Sequence, residues 1–330
     1  MKSTLRRLWI ILFVTVVLIL PVAGAVQQSE TRQFSSIGSI RYGTLAYTRP
    51  NIPSDTYAAW RTKDQKINLW KDLWNSNGLS SRIIKIGESV QGKDILMFDC
   101  GKVNSKAMLI DVELHGNEDH PGEVLLMFVY WLLESGEPAA QRILQNNRLL
   151  FVPSVNIDLF QRVNARSGGG VNLNRNFVNG WGSSGDNVPG SDDYRGPSAG
   201  SEPETQTMRS AFEDYQPKIY VNFHVGAFMA RGSGNSTLGN AILNGASSFK
   251  SFFGASAGSG SGGGGYAVAD AVNLSPGCSA WLIEFFGASS TDPHGNGWKH
   301  TSAHLDELED DYYPKIKEFI IACCSLIETP

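Results

Sequence analysis

The stretch LIDVELHGNEDHPGE, residues 109–123, places His115 and Glu118 three positions apart, directly after an apolar run. That run, Met108 to Leu114, predicts a buried strand. A histidine and a glutamate on a turn that leaves a strand can direct a ring nitrogen and a carboxylate at one cation. Zn²⁺ accepts this mixture of ligands, and a catalytic zinc site needs three protein ligands and an open position. A single His-x-x-Glu pair also occurs by chance on surface turns, so segments elsewhere in the chain must show whether this pair binds a metal.

The third zinc ligand is expected far along the chain. His224, in KIYVNFHVGAF (218–228), also stands at the end of an apolar, strand-like run. In layered α/β sheets, binding sites lie at the carboxyl ends of strands. We therefore predict one Zn²⁺ per chain, held by His115, Glu118 and His224.

The N-terminus has the parts of a secretory signal peptide. Basic residues (Lys2, Arg6, Arg7) precede an apolar stretch from Leu8 to Leu20, and Ala23-Gly-Ala25 follows. This order predicts a signal peptide over residues 1–25 and a secreted or extracytoplasmic protein. The alternative is a retained membrane anchor. No other apolar run reaches the roughly 20 residues that span a bilayer, so we expect no membrane contact after cleavage.

The predicted mature chain is acidic. Without the three basic residues of the signal, 25 Lys and Arg stand against 32 Asp and Glu, a net charge of −7. Nucleic-acid binding calls for a basic face, so this balance argues against it. Four cysteines remain. Cys100 and Cys278 are a possible disulfide, and the adjacent Cys323 and Cys324 are typical of small buried apolar residues.

Strand and helix patterns alternate along the chain, which predicts an α/β layered fold. We predict helices over Ser54–Asn77, Gly122–Ser135 and Leu305–Ile327, and strands over Arg82–Gly87, Lys93–Cys100, Met108–Leu114 and Leu149–Val155. Gly180–Gly200 and the Gly/Ser-rich Arg231–Gly265 are expected to be loops. The predicted organisation is a signal peptide (1–25), an N-terminal extension (26–50) and one catalytic domain (51–330).

Further segments in a fixed order resemble the zinc carboxypeptidase family. They are HGNE (115–118), RVNA (162–165), GVNLNRNF (170–177), RGP (195–197) with SEPET (201–205), FH (223–224) and WLIE (281–284). The resemblance covers roughly residues 54–325. It implies a three-layer α/β/α fold around a mixed, mostly parallel central sheet. It also implies that His115, Glu118 and His224 bind zinc.

The remaining catalytic roles also follow from the resemblance. Glu284, a single acid in the apolar run AWLIEFF, matches the general base that moves a proton from water to the leaving amine. Its other interpretation is a buried structural carboxylate, which would need a basic partner. Arg162 matches the arginine that stabilises the oxyanion, with Arg166 in reserve because SGGG (167–170) lengthens this segment.

A carboxypeptidase must also recognise the substrate's terminal carboxylate. The resemblance gives this role to Asn174 and Arg175, and a guanidinium suits it because its planar fork pairs with a carboxylate. Tyr266 is the candidate for the tyrosine that closes over the substrate, although a core aromatic is an equal alternative. The chain departs from the family at Asn172, where an aspartate is usual.

The sequence therefore predicts a secreted, monomeric zinc metallocarboxypeptidase that acts on the C-termini of peptides or proteins. Two alternatives stay open: a zinc amidase acting on cell-wall peptides or acylated amino acids, and a zinc-binding extracellular module without activity. Side-chain preference is also open. Asp270 either lies at the floor of a pocket that selects Lys or Arg, or points to solvent. His300 and His304 are expected at the surface.

Overall fold

The computed structural model describes residues 39–42, 45–50, 60–158, 170–260, 264–287 and 300–328. Of these, 39–41 and 46–49 belong to one compact unit, and the other described residues belong to a second. At the start of the described chain, β1 (Ser39–Tyr42) pairs with β2 (Leu45–Thr48) in a two-stranded sheet. The predicted signal peptide lies outside the described residues, as does much of the predicted extension.

The second unit holds the central sheet and the helices. Its strands in the described ranges are β3 (Ile83–Glu88), β4 (Asp94–Gly101), β5 (Ala107–Asp111), β6 (Arg148–Val152), β7 (Ile219–Gly234), β8 (Ser256–Ala257) and β9 (Ser279–Gly287). Its helices there are α1 (Lys63–Ser76), α2 (His120–Glu134), α3 (Pro138–Asn146), α4 (Leu173–Asn176), α5 (Pro203–Tyr215), α6 (Ser236–Gly245), α7 (Ser247–Phe253), α8 (Ala267–Leu274), α9 (Ser302–Glu307) and α10 (Tyr313–Ile327). A π-helical segment, Leu308–Tyr312, joins α9 to α10.

The centre of the sheet is parallel. The strands β6, β5, β7 and β9 lie side by side in this order, and β5 runs parallel to both β6 and β7. The first half of β7 runs parallel to β9, and His224 is the register partner of Glu284. The edge pairs β3–β4 and β4–β6 are antiparallel. The sheet is therefore mixed with a parallel centre, as the sequence predicted.

Strand β7 turns back on itself and flanks β9 on both sides. Its residues 229–234 pair with residues 284–279 in descending order, so this half runs antiparallel to β9. The reversal uses left-handed backbone at Gly226 (φ 138°) and Phe228 (φ 43°). A glycine adopts this conformation without steric cost. The reversal ends the first half of β7 just beyond His224.

Successive residues of each strand face opposite sides of the sheet, and both sides are covered. On one side, Trp70 and Trp74 of α1 pack against Phe98 and Phe151, with ring centroids 5.3–6.1 Å apart. On the other side lies a core of residues from β4, β6, α5 and α8, among them Ile95, Met97, Leu150, Val152, Met208, Phe212, Ala267 and Val268. This unit is thus layered as helix, sheet and helix, and the predicted fold class is confirmed.

The helix boundaries follow local capping. Helix α1 begins at Lys63 because Thr62 caps it: Thr62 Oγ1 accepts from Gln65 N at 3.1 Å, and Thr62 N donates to Gln65 Oε1 at 2.8 Å. Residues 54–59 of the predicted helix lie outside the described residues. This reciprocal pair is a capping box. The helix ends at Ser76 with Asn77 as its C-cap, where the sequence predicted a stop.

The prediction of a loose loop over Arg231–Gly265 was wrong. This segment contains the end of β7, helices α6 and α7, and β8. Asn235 caps α6 by accepting from Leu238 N at 3.0 Å, and Ile242, Leu243 and Phe249 are buried. These apolar side chains give the helices a face that packs, which the Gly/Ser content of the segment concealed.

All four cysteines are buried free thiols, so Cys100 and Cys278 form no disulfide. Burial raises the pKa of the Cys278 thiol to about 12, which keeps it protonated and unreactive. In the described ranges, no helix is both long enough and apolar enough to cross a membrane.

The tryptophan packing yields a stability prediction. Trp74 is fully buried and its Nε1–H donates to the Asp99 carbonyl at 2.9 Å. We expect Trp74→Ala to lower the free energy of unfolding by about 3–5 kcal/mol, because it leaves a large cavity. Urea denaturation followed by circular dichroism measures this loss. Val103→Ala is the control, since Val103 is half exposed; an equal loss in both variants would contradict the packing assigned to Trp74.

Candidate metal centre and active site

Three side chains converge at the carboxyl edge of the parallel strands. His115 and Glu118 follow β5, and His224 lies near the turning point of β7. Glu118 Oε1 is 2.8 Å from His115 Nδ1, and Glu118 Oε2 is 2.7 Å from His224 Nδ1. One possible ligand atom from each residue lies within 4.8 Å of the others. Burial alone would raise the pKa of Glu118, but the two imidazoles hold it down, at about 2.

Two asparagines orient the imidazoles. His115 Nε2 lies 3.0 Å from Asn172 Oδ1, and His224 Nε2 lies 2.6 Å from Asn222 Oδ1. An amide oxygen only accepts, so each histidine donates from Nε2 to its asparagine, and its Nδ1, the atom that would bind a metal, faces Glu118. The asparagine amides are themselves fixed, because Asn172 Nδ2 donates to the Asp192 carbonyl and Asn222 Nδ2 donates to Asp111.

Two imidazole nitrogens and one carboxylate are a ligand set that fits catalytic zinc. The orientation by outer hydrogen-bond partners is also what zinc-binding histidines require. Sequence reasoning noted Asn172 only as a departure from the family and did not identify Asn222. Its position two residues before His224 in the same strand places both side chains on one face, a signal that could have identified it.

Glu284 lies beside this group. It is the register partner of His224 on the neighbouring strand, and it forms no hydrogen bond or ion pair with any described residue. Burial raises the pKa of its carboxyl above the ordinary value of 4.5, and the nearby Glu118 raises it further. The positive charges of His224, His115 and Arg175 lower this pKa but do not cancel the rise. A carboxyl group without a structural partner is available for proton transfer.

Arg175 and Tyr266 are in contact. The Arg175 guanidinium lies over the Tyr266 ring, 4.9 Å from its centroid. Its Nη2 is 2.9 Å from Asp193 Oδ1, and Asp193 is largely exposed. Tyr266 also receives a hydrogen bond at its hydroxyl from Ser184 Oγ at 3.3 Å. The structure therefore holds the guanidinium between an aromatic face and a surface carboxylate.

Asn174 lies between Arg175, its neighbour in the sequence, and His224 of the candidate metal centre. Its Oδ1 accepts from Ala267 N at 3.0 Å, and its Nδ2 lies 3.4 Å from His224 Nε2. The backbone at Asn174 departs from helical geometry, and helix α4 ends two residues later, at Asn176. The two predicted arginine candidates for oxyanion stabilisation, Arg162 and Arg166, lie outside the described residues.

Asp270 is placed in neither of the two ways that the sequence suggested. It is buried, accepts from the backbone N–H groups of Val178 and Asn179 at 3.2 and 2.5 Å, and pairs with Arg209 at 2.7 Å. Its charge is neutralised inside the fold, because α8 packs against α5 and the loop after α4. Asp270 is therefore not free to select a basic substrate side chain.

A second polar group lies at the start of α2, next to the segment 113–119 that carries His115 and Glu118, called the metal turn below. Asp119, His120 and His300 also bring possible ligand atoms within 4.8 Å of one another. The two imidazoles are stacked, however, with centroids 4.2 Å apart and planes inclined by 23°. In-plane lone pairs of stacked rings do not converge on one ion, and the Lys66 ammonium already lies 3.6 Å from Asp119. We interpret this group as a packed polar cluster.

The expectation that His300 and His304 lie at the surface was wrong, because both are buried. His300 Nε2 lies 2.6 Å from Asp119 Oδ1, and its ring packs against Trp60 at 5.0 Å. The His304 ring packs against Phe286 at 4.9 Å. The polar local sequence gave no sign of these distant partners.

The geometry predicts equal importance for the two histidines near Glu118. We expect His115→Ala and His224→Ala each to weaken zinc binding by more than the roughly 10–100-fold typical of losing an outer-shell partner. Each variant leaves two protein ligands. Competition with a chromophoric chelator measures the affinity. His304→Ala is the control for removal of a buried imidazole, and a His224 variant that keeps the affinity of the unmodified protein would place the third ligand elsewhere.

Comparison with known proteins agrees with this geometry. The family model described as zinc carboxypeptidase matches residues 67–235. Carboxypeptidase SOL1 of Arabidopsis thaliana is 25% identical over 204 residues, which cover 60% of this chain and 39% of that protein. Carboxypeptidase Z of Mus musculus is 30% identical over 119 residues, 29% of this chain and 18% of that protein. The matches thus span less than half the length of these curated relatives.

Solved structures share the fold at low sequence identity. Carboxypeptidase A from Helicoverpa armigera has a TM-score of 0.63 at 16% identity, with 80% of this chain and 74% of that chain covered. Thrombin activatable fibrinolysis inhibitor has a TM-score of 0.64 at 16% identity, with 81% and 74% covered. The family model covers half of the chain and the matching structures share its layered sheet. The chain belongs to the zinc carboxypeptidase family.

Proposed function

We propose that this protein is a secreted, zinc-dependent metallocarboxypeptidase that removes the C-terminal residue from peptides or proteins. The observation that carries the proposal is Glu284. Its carboxyl group has no partner among the described residues, and it is paired in register with His224 on the neighbouring strand. Family membership and the carboxypeptidase relatives support the reaction class, and the signal-like residues 1–25 support export.

The chain's own residues divide the chemistry between them. His115, Glu118 and His224 would hold the zinc, with both Nδ1 atoms set by the asparagine contacts. Zinc, when bound, lowers the pKa of water and polarises the scissile carbonyl. Glu284 accepts a proton from the attacking water and passes it to the leaving amine. We assign stabilisation of the oxyanion to Arg162, with Arg166 as the alternative.

Recognition of the C-terminus falls to Arg175, with Asn174 and Tyr266 beside it. The present partner of Arg175 is Asp193, and an exposed ion pair is worth only about 0–1 kcal/mol. A substrate carboxylate can therefore replace Asp193, because a bidentate contact with the guanidinium is stronger. The Tyr266 ring keeps the guanidinium in place while its charged partner changes.

The role of Glu284 is tested by Glu284→Gln, which keeps the shape of the side chain and removes its ability to accept a proton. We expect kcat to fall by about 10²–10⁴-fold, with zinc content unchanged. Steady-state kinetics and metal analysis on the same preparation measure both. Glu204→Gln is the control, since burial also raises the pKa of Glu204, which bonds to Val90 N instead. Near-normal kcat in the Glu284 variant, or loss of its zinc, would refute the assignment.

The role of Arg175 is tested with two forms of one substrate, a blocked dipeptide with a free and with an amidated C-terminus. We expect Arg175→Ala to lower kcat/KM for the free form by about 10–200-fold, the equivalent of roughly 1.5–3 kcal/mol for a charge-assisted hydrogen bond. The amidated form never makes this contact, so its cleavage should not change.

Arg195→Ala is the matched control, because Arg195 lies over the Trp181 ring at 5.1 Å as Arg175 lies over Tyr266. An equal fractional loss on both substrate forms would mean that Arg175 supports the fold. That result would favour a zinc amidase, and absence of cleavage of either form by the unmodified protein would favour a zinc-binding module without activity.

A further inference from the structure

Two lysines of α1 and one glutamate form a buried ionic group beside the metal turn. Lys63 Nζ is 3.1 Å from Glu113 Oε2, and Lys66 Nζ contacts Glu113 Oε1. Glu113 is fully buried and the lysines are 6% and 4% exposed. The lysines are three positions apart, so they lie on one face of the helix. Charges at this depth are stable only when they are paired, and here each is.

The group is attached to both ends of the metal turn. Glu113 stands two residues before His115, and Asp119 directly follows Glu118. Lys66 reaches both carboxylates, since its Nζ also lies 3.6 Å from Asp119 Oδ2. The ammonium group of α1 therefore spans the segment that carries two of the three candidate metal ligands.

Lys63 extends the attachment to the loop after β6. Its Nζ donates to Ser154 Oγ at 3.2 Å and to the Asn156 carbonyl. The backbone of that loop also bonds to Glu113, because Asn156 N donates to the Glu113 carbonyl at 2.9 Å. The two neighbouring loops at the carboxyl edge of the sheet are thus held by the same side chain.

The backbone at Glu113 is in the left-handed region, with φ 58°. This conformation costs a non-glycine residue about 1–2 kcal/mol, and such residues persist where their surroundings fix them. A buried ionic group also adds little net stability to a fold, because well-packed apolar residues in its place often give a protein of equal or higher stability. Neither local preference nor global stability therefore explains this arrangement, whereas its place around the metal turn does.

We propose that Lys63, Lys66 and Glu113 are positioning residues for the metal centre: α1 holds the turn between Glu113 and Asp119 so that His115 and Glu118 face His224 before metal binds. The inference rests on the proposed zinc centre. It predicts that weakening the group lowers metal affinity beyond any effect on folding, because the ligands then lose their arrangement in the metal-free protein.

The test is Lys66→Met, which keeps most of the side-chain length and removes the charge. We expect the zinc dissociation constant to rise by about 10–100-fold, the range found for outer-shell partners. Competition with a chromophoric chelator gives the zinc affinity, and urea unfolding of the metal-free protein gives the stability. Lys66→Arg is the conservative variant, since a guanidinium can contact both carboxylates; we expect it to keep zinc affinity within about threefold, well below the outer-shell range.

Arg148→Met is the matched control. Asp99 is buried between Arg82 and Arg148, at 2.6 and 3.0 Å, as Glu113 is between its lysines. Arg148 begins β6, at the opposite edge of the sheet from the metal turn. Its loss should lower stability and leave zinc affinity unchanged.

The outcomes separate the inference from the proposed function. If Lys66→Met lowers stability but binds zinc as tightly as the unmodified protein, the group is structural only and the inference fails while the zinc centre stands. If Lys66→Met does not fold, zinc affinity and stability are measured on Asp119→Asn instead. This variant keeps the side-chain volume and removes the negative charge that Lys66 contacts. If the unmodified protein binds no zinc, the proposed function fails first.

Discussion

The parallel hydrogen-bond ladder through β5, β7 and β9 is the constraint on which the rest of the site depends. It sets His224 opposite Glu284 across one strand spacing, and it ends β5 where the turn to His115 begins. Backbone pairing therefore fixes the position of the proposed metal ligand His224 relative to the proposed proton acceptor Glu284. The helices on both faces stabilise this ladder by burying its alternating apolar residues.

Side-chain hydrogen bonds then orient the two imidazoles within this frame. The amide oxygens of Asn172 and Asn222 accept from Nε2 of the two histidines, so Nδ1 of both rings faces one point. Glu118 occupies that point in the metal-free arrangement by contacting both rings. Glu284 has no such partner among the described residues, and this difference fits the proposed roles of Glu118 as metal ligand and Glu284 as base.

Much of this arrangement could be predicted from the sequence, because His115, His224 and Glu284 each lie in or directly after an apolar run. Such runs become neighbouring strands, so their ends meet. The residues that tune the site could not be predicted in the same way. Asn222 contacts His224, two residues later in the same strand, so its position in the sequence indicates this contact. Glu113 is instead held by lysines from a helix about 50 positions earlier, and no local sequence pattern predicts that contact.

The errors have the same origin. His300 was expected at the surface and Asp270 in a pocket or at the surface, since polar residues in polar or small-residue surroundings usually are exposed. Both are buried because distant partners, Asp119 and Arg209, neutralise or bond them. Whether a polar side chain is buried depends on its partner as well as on itself, and the local sequence does not show which distant residue that partner is.

The most direct test of the account is anomalous diffraction at the zinc edge from crystals of the zinc-loaded protein. The account predicts one peak about 2.0–2.2 Å from His115 Nδ1, His224 Nδ1 and a Glu118 oxygen, with Glu284 near but not bound to it. A peak between Asp119, His120 and His300, or the absence of zinc from the His115 turn, would contradict it.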